Sequence, residues 1–138
     1  MIIADTGFWL ALASRTDANH ARARRALAKY PGPYVTTWPV MTETCHLLSA
    51  RLGTVAELAF LQSAVRGAFE IFSLDRTHLP RVETLVEKYR DLPMDLADAS
   101  LVVLAEEQGK GDILSTDQRD FGVYRWKNRK PFKNLLFP

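Results

Sequence analysis

Asp5, Glu43, Asp98 and Asp117 lie far apart along the chain, yet each stands at or near the start of an expected helix. Asp5 closes the opening apolar run Met-Ile-Ile-Ala-Asp-Thr-Gly, and Asp117 follows another in Asp-Ile-Leu-Ser-Thr-Asp-Gln-Arg-Asp-Phe. Asp98 falls in the first turn of the most apolar helix. In an open parallel α/β sheet the carboxyl ends of the strands meet at one crevice, where ligands bind. Carboxylates gathered there repel one another unless a cation lies between them. An ion held beside an apolar helix costs several kcal/mol unless it is paired or coordinated. Hard oxygen donors without a His or Cys cluster select Mg²⁺ or Mn²⁺ over zinc. Such ions lower the pKa of bound water and neutralise charge on a phosphodiester as it is cleaved.

Taken singly, each acidic residue also has a structural explanation. Asp5 suits the N-cap of the first helix. Asp95 suits another N-cap, with Asp98 three residues on in a capping-box-like position, and Asp117 and Asp120 repeat that spacing. Glu43 favours the positive end of its helix. Other chemistries fit less well. His20, His46 and His78 are scattered without metal-ligand spacing. The chain has no Gly-x-Ser-x-Gly elbow, P-loop or Gly-x-Gly-x-x-Gly fingerprint.

The elements that must position these residues alternate between strand and helix. Ile2 to Ala4 reads as a buried parallel strand, followed by a helix from Gly7 to about Ala13. Asp17 is expected to cap a second helix reaching Lys29, which Pro31-Gly32-Pro33 ends. Tyr34 to Thr37 is the second strand, and Pro39 opens a helix through Glu43 to about Arg51. A helix over Val55 to Val65, a strand over Phe69 to Leu74 and a helix from about Arg76 to Arg90 follow. The apolar helix then starts at Pro93-Met94-Asp95 and ends at Gly109 and Gly111. Ile113 to Ser115 is the fourth strand, and the stretch from Phe132 to Phe137 offers a last edge strand. The expectation is an α/β fold: one domain over residues 1–138, with a mainly parallel central sheet of four to five strands flanked by helices.

Composition narrows the class further. The 138 residues are 47% hydrophobic and 25% charged, enough apolar content for one core and too little charge for disorder. No run reaches the roughly 20 apolar residues of a membrane span, and the opening strand lacks the features of a secretory signal. The single cysteine, Cys45, reads as a buried thiol in a reducing compartment, so a cytoplasmic location is expected. The net charge of +2 is unevenly placed: Arg119, Arg125, Lys127, Arg129, Lys130 and Lys133 crowd the end, interleaved with Tyr124, Trp126 and Phe132. Basic side chains bind phosphates and aromatic faces stack on unpaired bases, so this composition suits single-stranded nucleic acid. The same residues also fit a solvated positive face with half-buried aromatics.

Four motifs carry a resemblance: Ile3-Ala4-Asp5-Thr6-Gly7, Thr42-Glu43, Leu96-Ala97-Asp98-Ala99-Ser100-Leu101, and Ser115-Thr116-Asp117-Gln118-Arg119-Asp120-Phe121. In this order and spacing the chain resembles the PIN-domain ribonucleases, most closely the toxins of bacterial VapBC-type toxin–antitoxin modules. The resemblance implies a Mg²⁺- or Mn²⁺-dependent endoribonuclease whose acidic site is Asp5, Glu43, Asp98 and Asp117. Asp5, Glu43 and Asp98 would hold the metal directly or through water, with Asp117 completing the cluster or engaging a second ion. Thr6 and Thr116 match supporting positions, and Asp120 an additional acidic one. Arg119, Arg125, Lys127 and Arg129 are the basic residues expected to hold the RNA backbone. The resemblance also implies homodimers and a small antitoxin whose tail covers the site. Position 7 departs from the pattern, being Gly where the family often has Ser. Two rival readings are a non-catalytic PIN-like module binding RNA or protein, and a structure-specific DNA nuclease. Loss of acidic ligands would mark the first, and all four remain; the second generally needs DNA-gripping elements for which this short chain has little room.

Overall fold

The opening strand, β1 (Ile2–Ala4), lies in the middle of a five-stranded sheet. The computed structural model describes residues 1–138. After β1 the chain forms α1 (Thr6–Ala13) and α2 (His20–Lys29), then β2 (Tyr34–Thr37), which pairs in parallel with β1. Helices α3 (Trp38–Leu52) and α4 (Thr54–Val65) lead to β3 (Glu70–Phe72), parallel to β2 at the sheet's edge. The chain then crosses back through α5 (Leu79–Lys88) and α6 (Leu96–Gln108). It places β4 (Asp112–Leu114) on the other side of β1. Helix α7 (Gln118–Val123) and a hairpin of β5 (Arg125–Trp126) and β6 (Lys130–Pro131) precede β7 (Lys133–Asn134), which pairs with β4. The order is therefore β3-β2-β1-β4-β7, with every pairing parallel.

Strand periodicity divides the apolar residues between two cores. Ile3, Val35 and Ile113 point to the face covered by α5, α6 and α7, while Ala4, Tyr34 and Leu114 point to the face covered by α1 to α4. Burial on both faces explains why these strands read as continuous apolar runs. Helix α6 is buried from Leu101 to Ala105 together with Ala97 and Ala99, as its all-round apolar sequence requires. No helix is long and apolar enough to cross a membrane.

Four local expectations need correction. The second helix begins at His20 rather than at Asp17, because Asp17 Oδ1 accepts from the Asn19 amide and closes a turn ahead of it. The helix expected from Arg76 splits into a 3₁₀ turn, Arg76–His78, and α5. Pro80 has no N–H to give the preceding turn, and Asp75 caps that turn separately through the Thr77 amide. The edge strand β7 covers Lys133–Asn134 only. Cys45 is half-buried rather than enclosed, and burial, then the charge of Glu57, raises its thiol pKa. The β5–β6 hairpin escaped the sequence reading because its turn contains no glycine. Lys127 and Asn128 take left-handed φ values of 49° and 63° instead, a conformation in which asparagine is enriched.

Candidate active site at the sheet switch point

The strand order reverses between β1 and β4, and that is where an open α/β sheet leaves a crevice. Asp5 leaves β1 at this point, and its amide donates to Leu114 O at 3.1 Å, tying the ends of the two strands together. Its side chain caps α1: Oδ1 accepts from the Thr6 amide at 2.7 Å, and Oδ2 accepts from Ser115 Oγ at 2.8 Å. Ser115 Oγ in turn accepts from the Asp117 amide at 3.0 Å. One buried hydroxyl thus links the acidic residues that follow β1 and β4. Burial pushes the Asp5 carboxyl up to about 6, with Glu43 and Asp117 adding to the rise and the Ser115 and Thr6 bonds opposing it.

Asp98 reaches the same crevice from α6. Asp95 caps that helix by accepting from the Asp98 amide at 2.8 Å, which orients the first turn. Burial, then the charges of Asp95 and Asp5, raises the Asp98 carboxyl to about 8. The hydroxyl of Tyr124, buried in the core, donates to Asp98 Oδ2 at 3.3 Å. Its own pKa is pushed up by burial and by the charges of Asp98, Asp120 and Asp117. Asp117 caps α7 through the Asp120 amide at 2.9 Å, and burial first, then Asp120, raises its pKa against the opposing Asp120 amide bond. Asp120 is buried and accepts from Arg119 Nε at 3.0 Å. Glu43 is half-buried in the second turn of α3. All four acidic residues therefore approach one crevice.

The buried polar residues of the chain are Asp5, Asp120 and six hydroxyls, and the hydroxyls form a floor under the carboxylates. Thr44, next to Glu43, lies 3.4 Å from Thr6 Oγ1. Thr37 and Ser100, 2.6 Å apart, join the start of α3 to α6 two residues beyond Asp98. Thr36 Oγ1 donates to Ala4 O at 2.9 Å, one residue before Asp5. Each bond crosses between elements, so together they fix how the carboxylate-bearing segments stand relative to one another. Interior bonds of this kind also satisfy groups that would otherwise be costly to bury.

The sequence reading missed Ser115 and Tyr124. Ser115, not Thr116, makes the hydrogen bond to Asp5. Thr116 plays a different part: its Oγ1 occupies the place a Cβ on residue 7 would take, so a larger residue there forces the Thr116 side chain to turn or shift. Gly7→Ala should therefore destabilise the protein by about 1–3 kcal/mol. Thr116→Ala in the same chain should recover most of that loss, and a denaturant midpoint measured over the four-member mutant cycle checks it. Tyr124 could have been found from spacing: Asp117, Asp120 and Tyr124 recur at intervals of three and four along α7 and its end.

The expected RNA-contacting residues separate. Arg119 is exposed beside Asp120 at the crevice. Arg125 Nη1 donates to the carbonyls of Gly122, Val123 and Tyr124, so its guanidinium closes the end of α7. Lys127 and Arg129 sit in the hairpin turn, where the Lys127 amide donates to Glu106. Glu106 is eight residues beyond Asp98, roughly 12 Å of helix rise away from the crevice. The Lys127 backbone is thereby tied away from the crevice.

The donors suit a hard divalent cation: they are all oxygen, and burial with mutual repulsion makes the ionised carboxylates unfavourable without a countercharge. No three His, Cys, Asp or Glu side chains close on a single ligating point.

A family model described as PIN domain matches residues 2–127. Ribonuclease VapC26 of Mycobacterium tuberculosis is 31% identical over 124 residues, covering 90% of this chain and 92% of that protein. The chain belongs to the PIN-domain family, in its VapC branch. A 59-residue stretch of this PIN domain is 42% identical to the 23S rRNA-specific endonuclease VapC20 of the same organism, covering 43% of this chain and 45% of that one. In three dimensions the domain is similar to the crystal structure of VapC20, a sarcin–ricin-loop-cleaving toxin. The TM-score is 0.80 at 23% identity, over 86% of this chain and 92% of that one. It is also similar to a toxin–antitoxin complex from Klebsiella pneumoniae, with a TM-score of 0.67 at 17% identity, over 89% and 92%. At these identities the two structures speak to the fold.

Proposed function

We propose that this PIN domain is a Mg²⁺- or Mn²⁺-dependent endoribonuclease acting as the toxin of a type II toxin–antitoxin system in the cytoplasm. The observation that carries the reading is the crevice itself: Asp5, Asp98 and Asp117, with Glu43 beside them, are desolvated above a hydroxyl floor, and the exposed Arg119 offsets only Asp117. Asp5, Glu43, Asp98 and Asp117 would hold the metal, which would supply an activated water and charge neutralisation at the phosphorus. The chain's own residues do the positioning. Ser115 and the Thr6 amide aim Asp5, Tyr124 aims Asp98, and the Asp120 amide aims Asp117. Arg119 stands at the rim, where a guanidinium can meet an RNA phosphate.

Two further surfaces support protein partners. The outward side of α4 exposes Val55, Leu58 and Val65, an apolar face suited to a second copy and hence a homodimer. A separate groove of about 410 Å³, lined by Trp9, Leu12, Leu27, Tyr34, Phe60 and Phe69, suits an apolar segment of a small antitoxin. Trp9 Nε1 is buried without an acceptor.

The purified chain should cut bacterial RNA when Mg²⁺ or Mn²⁺ is added and stop on chelation. Its expression should arrest growth, and co-expression of a small protein encoded beside it should restore growth. Equal cutting in the presence of a chelator would overturn the metal assignment, and faster cutting of duplex DNA would overturn the substrate.

A further inference from the structure

Beside the acidic crevice, and sharing Glu43 with it, the N-terminal ends of α3 and α6 enclose an open cleft of about 670 Å³. Trp38, Pro39, Leu74 and Leu96 form its apolar walls, and Glu43, His46 and Asp95 its polar edge. The volume falls within the roughly 300–1,000 Å³ of small-molecule sites.

Three properties decide what it can take. Trp38 is 53% exposed and Leu96 48% exposed, and neither belongs to either core, so this apolar surface is left uncovered. No lysine or arginine lines the cleft, and its charged groups are the carboxylates of Glu43 and Asp95, which would repel a phosphate. Through Glu43 it continues into the ring of carboxylates around Asp5. An RNA whose phosphate is held there through a divalent cation on those carboxylates would place a neighbouring base close by. A neutral, flat ring gains by stacking on an indole and loses nothing to the acidic edge.

We propose that this cleft is a base subsite, in which an unpaired nucleobase flanking the cleaved phosphate stacks on Trp38 with its edge toward Asp95. The proposal rests on the ribonuclease reading above and adds to it a determinant of where the RNA is cut. Asp95 Oδ1 is occupied by the Asp98 amide, leaving Oδ2 free to accept. A base that presents an amino group, adenine, cytosine or guanine, therefore fits the polar edge better than uracil, whose one imide N–H is flanked by two carbonyl oxygens that the carboxylates repel. The cleft reads one unpaired base, while the carboxylates and Arg119 handle the backbone.

The test maps cut sites in total bacterial RNA digested by the wild-type protein, Trp38→Phe and Trp38→Ala. Trp38 is a solvent-exposed first-turn residue, so neither substitution disturbs the core. The wild type should disfavour uracil at one position beside the cut, and Trp38→Ala should flatten that preference while Trp38→Phe keeps most of it. On a short single-stranded RNA spanning a mapped cut, Trp38→Ala should raise KM about tenfold, the usual effect of losing one stacked base. The same RNA with an abasic residue at that position should bind the inactive Asp98→Asn protein as weakly as intact RNA binds Asp98→Asn/Trp38→Ala. The two losses should not add. Unchanged KM and unchanged base preference in Trp38→Ala, alongside normal wild-type cleavage, overturn the subsite alone. Absence of RNA binding and cleavage in every protein overturns the ribonuclease reading and the subsite together.

Discussion

Replacing Asp98 with Asn should remove RNA cleavage and, in the absence of metal, leave the fold at least as stable as before. The two effects have opposite signs because the carboxylate serves the reaction at the expense of the apo protein. Its charge is disfavoured by burial and by the neighbouring Asp95 and Asp5, which is why its pKa is raised to about 8. Asn removes that burden while the Asp98 backbone amide still satisfies the Asp95 cap. Metal catalysis supplies several kcal/mol of transition-state stabilisation, so the loss in kcat/KM should be about a thousandfold or more. Asp5→Asn should abolish cleavage likewise but lower stability, since both Asp5 oxygens accept buried bonds, from the Thr6 amide and from Ser115, and an amide keeps only one acceptor. Addition of Mn²⁺ should raise the melting temperature of the wild type through preferential binding to the native state, and raise that of either variant far less. Cleavage within about threefold of wild type in either variant would remove that residue from the proposed metal site.

The pH dependence of the metal-free protein should run opposite to that of an ordinary salt-bridged domain. Asp98 is raised to about 8 and Asp5 to about 6, both from near 4 in the unfolded chain. Between those values the native state keeps protons that the unfolded state has released, so stability falls as pH rises. Below about pH 4 both states are protonated and the penalty vanishes. Denaturant midpoints of the chelated protein should thus decline from pH 5 to pH 8, and saturating Mn²⁺ should flatten the decline. Binding of the ion at pH 7 should release protons, measurable in buffers of different ionisation enthalpy. A midpoint that climbs over this window without metal would contradict the uncompensated carboxylates.

What could be read from the sequence was whatever rests on periodicity and on helix ends. The strands at Ile2–Ala4, Tyr34–Thr37 and Ile113 onward announce themselves because both faces are buried, and α6 because it is apolar all round. Asp95 and Asp117 were legible as caps for the same local reason. Contacts made across the fold were not. Ser115 reaches Asp5 over 110 residues, Thr37 reaches Ser100 over 63, and Tyr124 reaches Asp98 over 26. Nothing in the local pattern distinguishes a hydroxyl in that floor from any other serine or threonine. The basic tail meets the same limit: proximity in sequence to Asp117 does not keep Lys127 near it once β5 turns back along α6.

Asn134 gives the shortest strand of the five-stranded sheet a weight out of proportion to its length. Its Oδ1 accepts from the Ser115 amide at 3.3 Å and its Nδ2 donates to Ser115 O at 2.8 Å, so β7 grips the residue that aims Asp5 from both sides of its peptide. Arg22 holds the following turn by donating to Leu136 O at 3.3 Å. The family match ends at residue 127, seven positions before Asn134. A chain trimmed to that boundary would keep β1 to β4 and every acidic residue, yet lose the strap that sets their alignment. A change confined to the final residues would thus shift the alignment of the crevice while every acidic position stays the same.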